Sequence, residues 1–492
     1  MSNSPARPII LRTAILGLIA SLTLTGCSRG IDNSRLSVDI IEDKAAGFAI
    51  SRLPLDPASA YLRAATAQGL VAFDAQGKVI PAMASRWIVT DDGLSYIFRL
   101  DKIRWNDGRQ VTAKQVADIL NSRITELRQS AFGDELIGID RAVSMTGKVV
   151  EIRLKAPMPN LLELLAQPQF GIVFKSTGSG PMIATKSGRA MQLRLKGIDE
   201  RGNPVLENDR ITLQANRASV ALTRFKAGQI DLVDGGHFQH LPELTAAKIS
   251  DGVVQSDPVP GLFGLLFVEA GPFLSVRSNR EAIAMAIDRP KLLTSFENFA
   301  WKENILLMPD TLQNRASVAP PTWAPLSVDQ RQTLARDAIA RWKTANGNVR
   351  PLRIALPAGP GGKILFARIR RDFVAIGLDA RRVSFGDNAD LVLVDRVAQM
   401  SSPSWYLAQM SCEITSVCNA EADALVEAAR MARTAEERQR LLGEAETKLQ
   451  ESRNFIPLAN PMRWSLTRDG LLGHSPNPRG LHLLQYLGRP PT

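Results

Sequence analysis

The residues able to do chemistry are few and scattered in this 492-residue chain: three cysteines, Cys27, Cys412 and Cys418, and four histidines, His237, His240, His474 and His482. Asp231, Asp234, His237 and His240 follow one another at intervals of three, a spacing that invites a metal-site reading. Gly235 and Gly236 break the helix that would align them, so a solvated loop is expected there and no metal is assigned. An enzyme needs a nucleophile beside a base, or paired acids with a metal. The histidines make no such arrangement with the cysteines, and no Gly-x-Ser-x-Gly elbow occurs. Nucleotide binding fails similarly. Thr177-Gly-Ser-Gly-Pro181 lacks the lysine and following helix of a phosphate loop, and Gly359-Pro-Gly-Gly-Lys363 is followed by Ile364 where a hydroxyl belongs. The expectation is a binding protein with no enzymatic activity and no cofactor.

Cys27 stands in a different setting. Arg7 and Arg12 precede an eleven-residue apolar stretch, Ala14 to Leu24. As a helix it would rise only about 16 Å, too little for a hydrocarbon layer of about 30 Å, so it reads as a signal peptide. Leu24-Thr-Gly-Cys27 resembles a bacterial lipobox. That implies removal of residues 1–26, acylation of Cys27 and a polar tether over 27–35. Two or three acyl chains would anchor it firmly to a membrane, where one chain binds only marginally. An exported protein meets an oxidising compartment, and Cys412 and Cys418 are expected to close a small disulfide loop. Two thiols with no nearby histidine are an incomplete zinc ligand set.

The net charge of +11, from 60 Lys and Arg against 49 Asp and Glu, is spread along the chain. No aromatic-rich basic motif accompanies it, so a solvated basic surface is expected rather than nucleic-acid binding. At this length one core does not suffice, and two or more lobes are expected.

The most legible stretch is Ala67 to Val116. Asp91-Asp-Gly93 predicts a tight turn between a run around Trp87 and an alternating run, Leu94, Tyr96, Phe98, Leu100, which together make a hairpin. Thr112 is placed to cap a helix with apolar residues at helical spacing. Pro81, Ala84, Trp87, Gly93, Tyr96, Phe98, Leu100, Trp105, Asp107, Gly108, Thr112, Ala113 and Val116 fall in one register that resembles the family-5 extracytoplasmic solute-binding proteins of ABC importers, the class of dipeptide, oligopeptide and nickel receptors. Gln115 replaces the usual Asp.

Further segments are similar to the same family. These are Leu53-Pro-Leu-Asp-Pro57, the second-lobe opening from Gly271 to Arg289, the helix from Asn419 to Arg430, the helix from Thr434 with Glu437 as a capping box, and Ile456-Pro-Leu458. The resemblance implies a two-lobed α/β fold of the periplasmic-binding-protein type (type II, cluster C), with mixed sheets, a hinge and an extra small subdomain. The first lobe is expected over 36–258 with 468–492 returning to it, and the second over 259–467. It implies a monomeric receptor that hands a short peptide to permease subunits; nickel chelates, opines or sugars are the alternative solutes, and a lipoprotein scaffold or chaperone with a vestigial cleft is a further one. Ser51, Arg52 and Leu53 would run beside the ligand or form an ordinary loop. Asp395, ending the buried strand from Ala389, matches the family residue that pairs with a ligand ammonium, with Val392 where Trp is common and Arg396 where Tyr or Asn is usual. Asp395 could instead cap a loop or pair with Arg396. Trp405 and Tyr406, just beyond, are further ligand-contact candidates.

Overall fold

The computed structural model describes residues 32–43, 47–130, 132–198, 204–249, 254–297, 301–309, 312, 315 and 318–489. Cys27 and the apolar stretch before it lie outside the described residues.

The first lobe is built on a seven-stranded mixed sheet in the order 182–187, 190–198, 204–216, 35–41, 232–237, 463–467, 254–256. Its central strand Arg35–Ile41 runs parallel to both neighbours, in register from Arg35 opposite Arg210 to Ile41 opposite Asn216. A strand so placed is covered on both faces. Leu36, Val38 and Ile40 pack with Tyr61 and Leu62 of the helix Pro57–Thr66, and Ile41 packs with Leu222 and Phe225 of the helix Ala218–Lys226.

The small subdomain is the predicted hairpin extended to a four-stranded antiparallel sheet, in the order 84–89, 95–100, 149–154, 139–146. Trp87 faces Phe98 across the hairpin, and Tyr96, Phe98 and Leu100 are buried while Arg99 is exposed. Gly93 sits at φ +68°, which the turn requires. At the start of the helix Ala113–Leu127, Thr112 Oγ1 accepts from the Gln115 amide (3.3 Å) and Gln115 Oε1 accepts from the Thr112 amide (3.1 Å). The Gln that departs from the family pattern thus completes a capping box.

The second lobe holds a five-stranded sheet in the order 380–383, 352–355, 391–397, 261–267, 455–459. Every residue of Gly261–Phe267 is buried, as its unbroken apolar run predicts. Helices Ala420–Met431 and Ala435–Ser452 pack together beside it. Thr434 caps the second of these through the Glu437 amide (3.2 Å), but the reciprocal half of the expected box is missing, because the Glu437 carboxylate pairs with Arg440 (2.8 Å). An ionic partner one turn away outcompetes a neutral backbone donor.

Residues 257–260 and 460–462 carry the chain between the two large sheets. The return therefore begins at Arg463, five residues before the expected 468: Arg463–Thr467 pairs with both Leu232–His237 and Val254–Ser256 of the first sheet. The tail then lays Leu484 and Leu487 into the first-lobe core. Cys412 and Cys418 are disulfide-bonded, with Cα atoms 5.0 Å apart.

Candidate ligand-binding cleft

Between the lobes lies a cleft of about 810 Å³, lined by Tyr61, Gln167 and His237 from the first lobe and by Val268, Val392, Asp395 and Arg396 from the second. The strand Leu391–Val397 positions the last three. It pairs antiparallel with Gly261–Phe267, Leu262 opposite Arg396 and Phe263 opposite Asp395, so the two neighbouring charges leave on opposite faces. Gly261, at φ +151°, is needed at this crossing: a Cβ there would stand 2.0 Å from the Arg396 carbonyl oxygen.

Asp395 does not pair with Arg396. Its Oδ1 accepts from Arg463 Nη1 at 2.9 Å, and His237 Nδ1 lies 4.0 Å from Oδ2. Burial pushes the Asp395 carboxyl up, while the Arg463 guanidinium opposes that shift. His237 is held well below the usual imidazole range by burial, by His240 and by Arg463, so it is neutral at pH 7. Arg396 opens to the cleft and donates to Gln409 Oε1, a neutral acceptor; among the described residues no carboxylate pairs with it.

Under the cleft floor lies a second cluster. Asp234 Oδ2 accepts from Tyr61 Oη (2.7 Å) and sits 2.8 Å from His482 Nδ1, while His482 Nε2 is 3.2 Å from Asp257 Oδ1. The His474 ring stacks on His482 with centroids 4.1 Å apart and planes 29° apart. Asp234, His474 and His482 bring ligand-type atoms within 4.8 Å of one another. The near-parallel rings aim their nitrogen lone pairs side by side rather than at one point, which suits a hydrogen-bonded clamp better than a metal site. The expected solvated loop at Asp231–His240 is thus corrected. Leu232–His237 is a strand of the first sheet, with Asp234 1% and His240 4% exposed, because the chain takes Gly235 at φ +79° and Gly236 under the Trp464 indole without leaving the sheet.

The remaining candidates separate. Trp405 and Tyr406 are 2% and 0% exposed, packed with Leu262 and Leu266 in the second-lobe core, and do not line the cleft. Their short helix, Pro403–Ala408, turns both rings inward. Ser51 and Arg52 are exposed and Leu53 is half-buried against the small-subdomain core; none of the three lines the cleft. Arg463, His237, Tyr61 and Gln409 are among the cleft residues that sequence reading missed. Arg463 sits in a strand whose sheet membership no local pattern reveals.

Two lobes, two short crossovers and a cleft between them lined by charged and apolar groups are the architecture of a solute-binding protein. The family model for bacterial extracellular solute-binding proteins, family 5 (Middle), matches residues 78–410, and the chain belongs to this family. It is 23% identical over 451 residues to the dipeptide-binding protein of Pseudomonas aeruginosa, covering 80% of this chain and 83% of that one. Its fold is similar to the Escherichia coli murein tripeptide-binding protein MppA (TM-score 0.75, 18% identity, 92% of this chain and 98% of that one). It is also similar to AgaA of A. tumefaciens R10, solved in complex with agropinic acid (TM-score 0.71, 16% identity, 91% and 97%). No helix among the described residues is long and apolar enough to cross a membrane.

Proposed function

We propose that this protein is the lipid-anchored, monomeric receptor of an ABC importer, which captures a short peptide between its lobes and presents it to the permease subunits without chemical turnover. The single observation that carries this reading is the cleft itself: charged and apolar groups from both lobes converge on one cavity of peptide size. The names of relatives that bind dipeptides and murein tripeptides support the solute class. The lipobox at Cys27 supports the anchor.

A second reading has its own support. Asp395 is already engaged by Arg463, so a ligand ammonium would have to displace a guanidinium, and the cleft favours a solute that brings negative charge. A non-peptide acid such as an opine meets that requirement, and agropinic acid is the ligand of one structural neighbour. Thermal unfolding and native mass spectrometry of the mature protein with di- and tripeptides test the proposal. Saturable stabilisation with the peptide recovered intact is expected. Stabilisation by opines alone would move the assignment to the second reading, and peptide hydrolysis would overturn the receptor role.

A further inference from the structure

Apolar side chains left open inside a cleft want a cover, and this cleft has two: Phe385, 53% exposed, and Ile414, 44% exposed. Both belong to the second lobe and share its wall with the half-buried Val268 and Val392. The charged residues on the lining are Asp395, Arg396 and Arg463. Since Arg463 engages Asp395, the lining is left with one positive charge in excess. That charge is the Arg396 guanidinium, which lines the cavity and, among the described residues, spends one of its five donors on Gln409. A guanidinium exposed at the wall of a cleft, with only an amide for company, is the natural partner of a planar monoanion.

We propose that the cleft recognises its solute by the acid end: Arg396 receives a carboxylate, an apolar side chain of the solute covers Phe385 and Ile414, and the Asp395–Arg463 pair stays closed throughout. The inference rests on the receptor reading above and deepens it. It makes a free amino group dispensable and a free carboxylate necessary.

Calorimetric titration of the mature protein with four probes tests it: the dipeptide Ala-Phe, its N-acetyl form, its C-terminal amide, and Ala-Ser. Amidation should weaken binding at least about 30-fold, the order expected when one partner of an enclosed charge pair is removed. Acetylation should change it less than about threefold, and Ala-Ser should bind about tenfold more weakly than Ala-Phe. Arg396→Gln should bring the acid and amide together, with Arg396→Lys falling between because it keeps the charge and loses the fork. The probe series on the unmutated protein stands even if a variant fails to fold. Loss of binding on acetylation but not on amidation would place the ammonium on Asp395 and overturn the proposal. Equal binding of acid and amide removes the Arg396 anchor while leaving a peptide receptor; saturation by none of the four removes both.

Discussion

A carboxylate enclosed with one guanidinium holds it far more strongly than the same pair does in water. The side chains of Asp395 and Arg463 are 14% and 19% exposed, so each satisfies the other at the wall of the cleft. Removing one partner strands the other, and Arg463→Met should lower stability by about 3 kcal/mol, the low end for breaking a buried pair. Urea unfolding measures it; an unchanged midpoint would mean that solvent reaches Asp395 freely. On the proposed lipid-anchored reading Cys27 carries the acyl chains, and Cys27→Ser should move the protein from the membrane to the soluble fraction on cell fractionation. Retention on the membrane would refute the lipobox.

At the scale of elements, the disulfide and the C-terminal tail each fasten a segment of the chain. Cys412–Cys418 closes a turn just before the helix Ala420–Met431, and the Cys412 amide donates to Asp423 on that helix at 2.8 Å. So short a loop restricts few unfolded conformations, and reduction should lose less than the ~3 kcal/mol of a 15-residue loop. Denaturation with and without reductant checks this. The tail is pinned by His482. Burial acts to lower its pKa, but Asp234 and Asp257 outweigh it and raise the group to about 10. Its contribution to stability is complete below the unfolded value near 6.5 and is lost as pH rises towards 10. His474 does the reverse: burial and the neighbouring His482 hold it at about 4, so its contribution is complete above about 6.5 and is lost as pH falls towards 4. Stability from this cluster should therefore peak near neutral pH, with losses on the order of a few kcal/mol towards either extreme. His482→Gln should flatten the alkaline limb and His474→Gln the acid limb in unfolding experiments from pH 4 to 10. An unaltered alkaline limb in His482→Gln would show that other groups set it.

For the whole molecule, the strand that carries Asp395 and Arg396 runs straight on into a clasp between the lobes. Met400, from the second lobe, is 2% exposed within the core of the small subdomain. On either side of it Gln167 Nε2 donates to the Gln399 carbonyl and the Ser401 amide donates to Glu163 Oε2, each at 2.7 Å. At the base of the cleft, Phe238 and Phe263 hold the lobes together with ring centroids 5.0 Å apart. A closed state that buries Met400 is weakened when the side chain is cut back. Met400→Ala should cost the closed form about 2 kcal/mol, seen as a larger radius of gyration by small-angle scattering and as binding weaker by up to about 30-fold. Unchanged scattering and affinity would show that Met400 has no part in closure.

Features written within a few residues were legible in the chain alone: the hairpin around Asp91–Gly93, the Thr112 cap, the buried strand Gly261–Phe267, the register of motifs that marks the family, and the short span that lets Cys412 meet Cys418. Turn, cap and periodicity are local physics, and neighbouring residues encode them. The partner of Asp395, by contrast, is set by the fold. Arg463 is 68 positions away and arrives because its strand joins the first-lobe sheet rather than continuing the second. The same holds for His482, which reaches Asp234 across 248 positions, and for Trp405 and Tyr406, whose helix turns them into the core. Such meetings depend on the order of strands in a sheet and on which face of a helix finds a partner, and no window of sequence contains both sides of that contact.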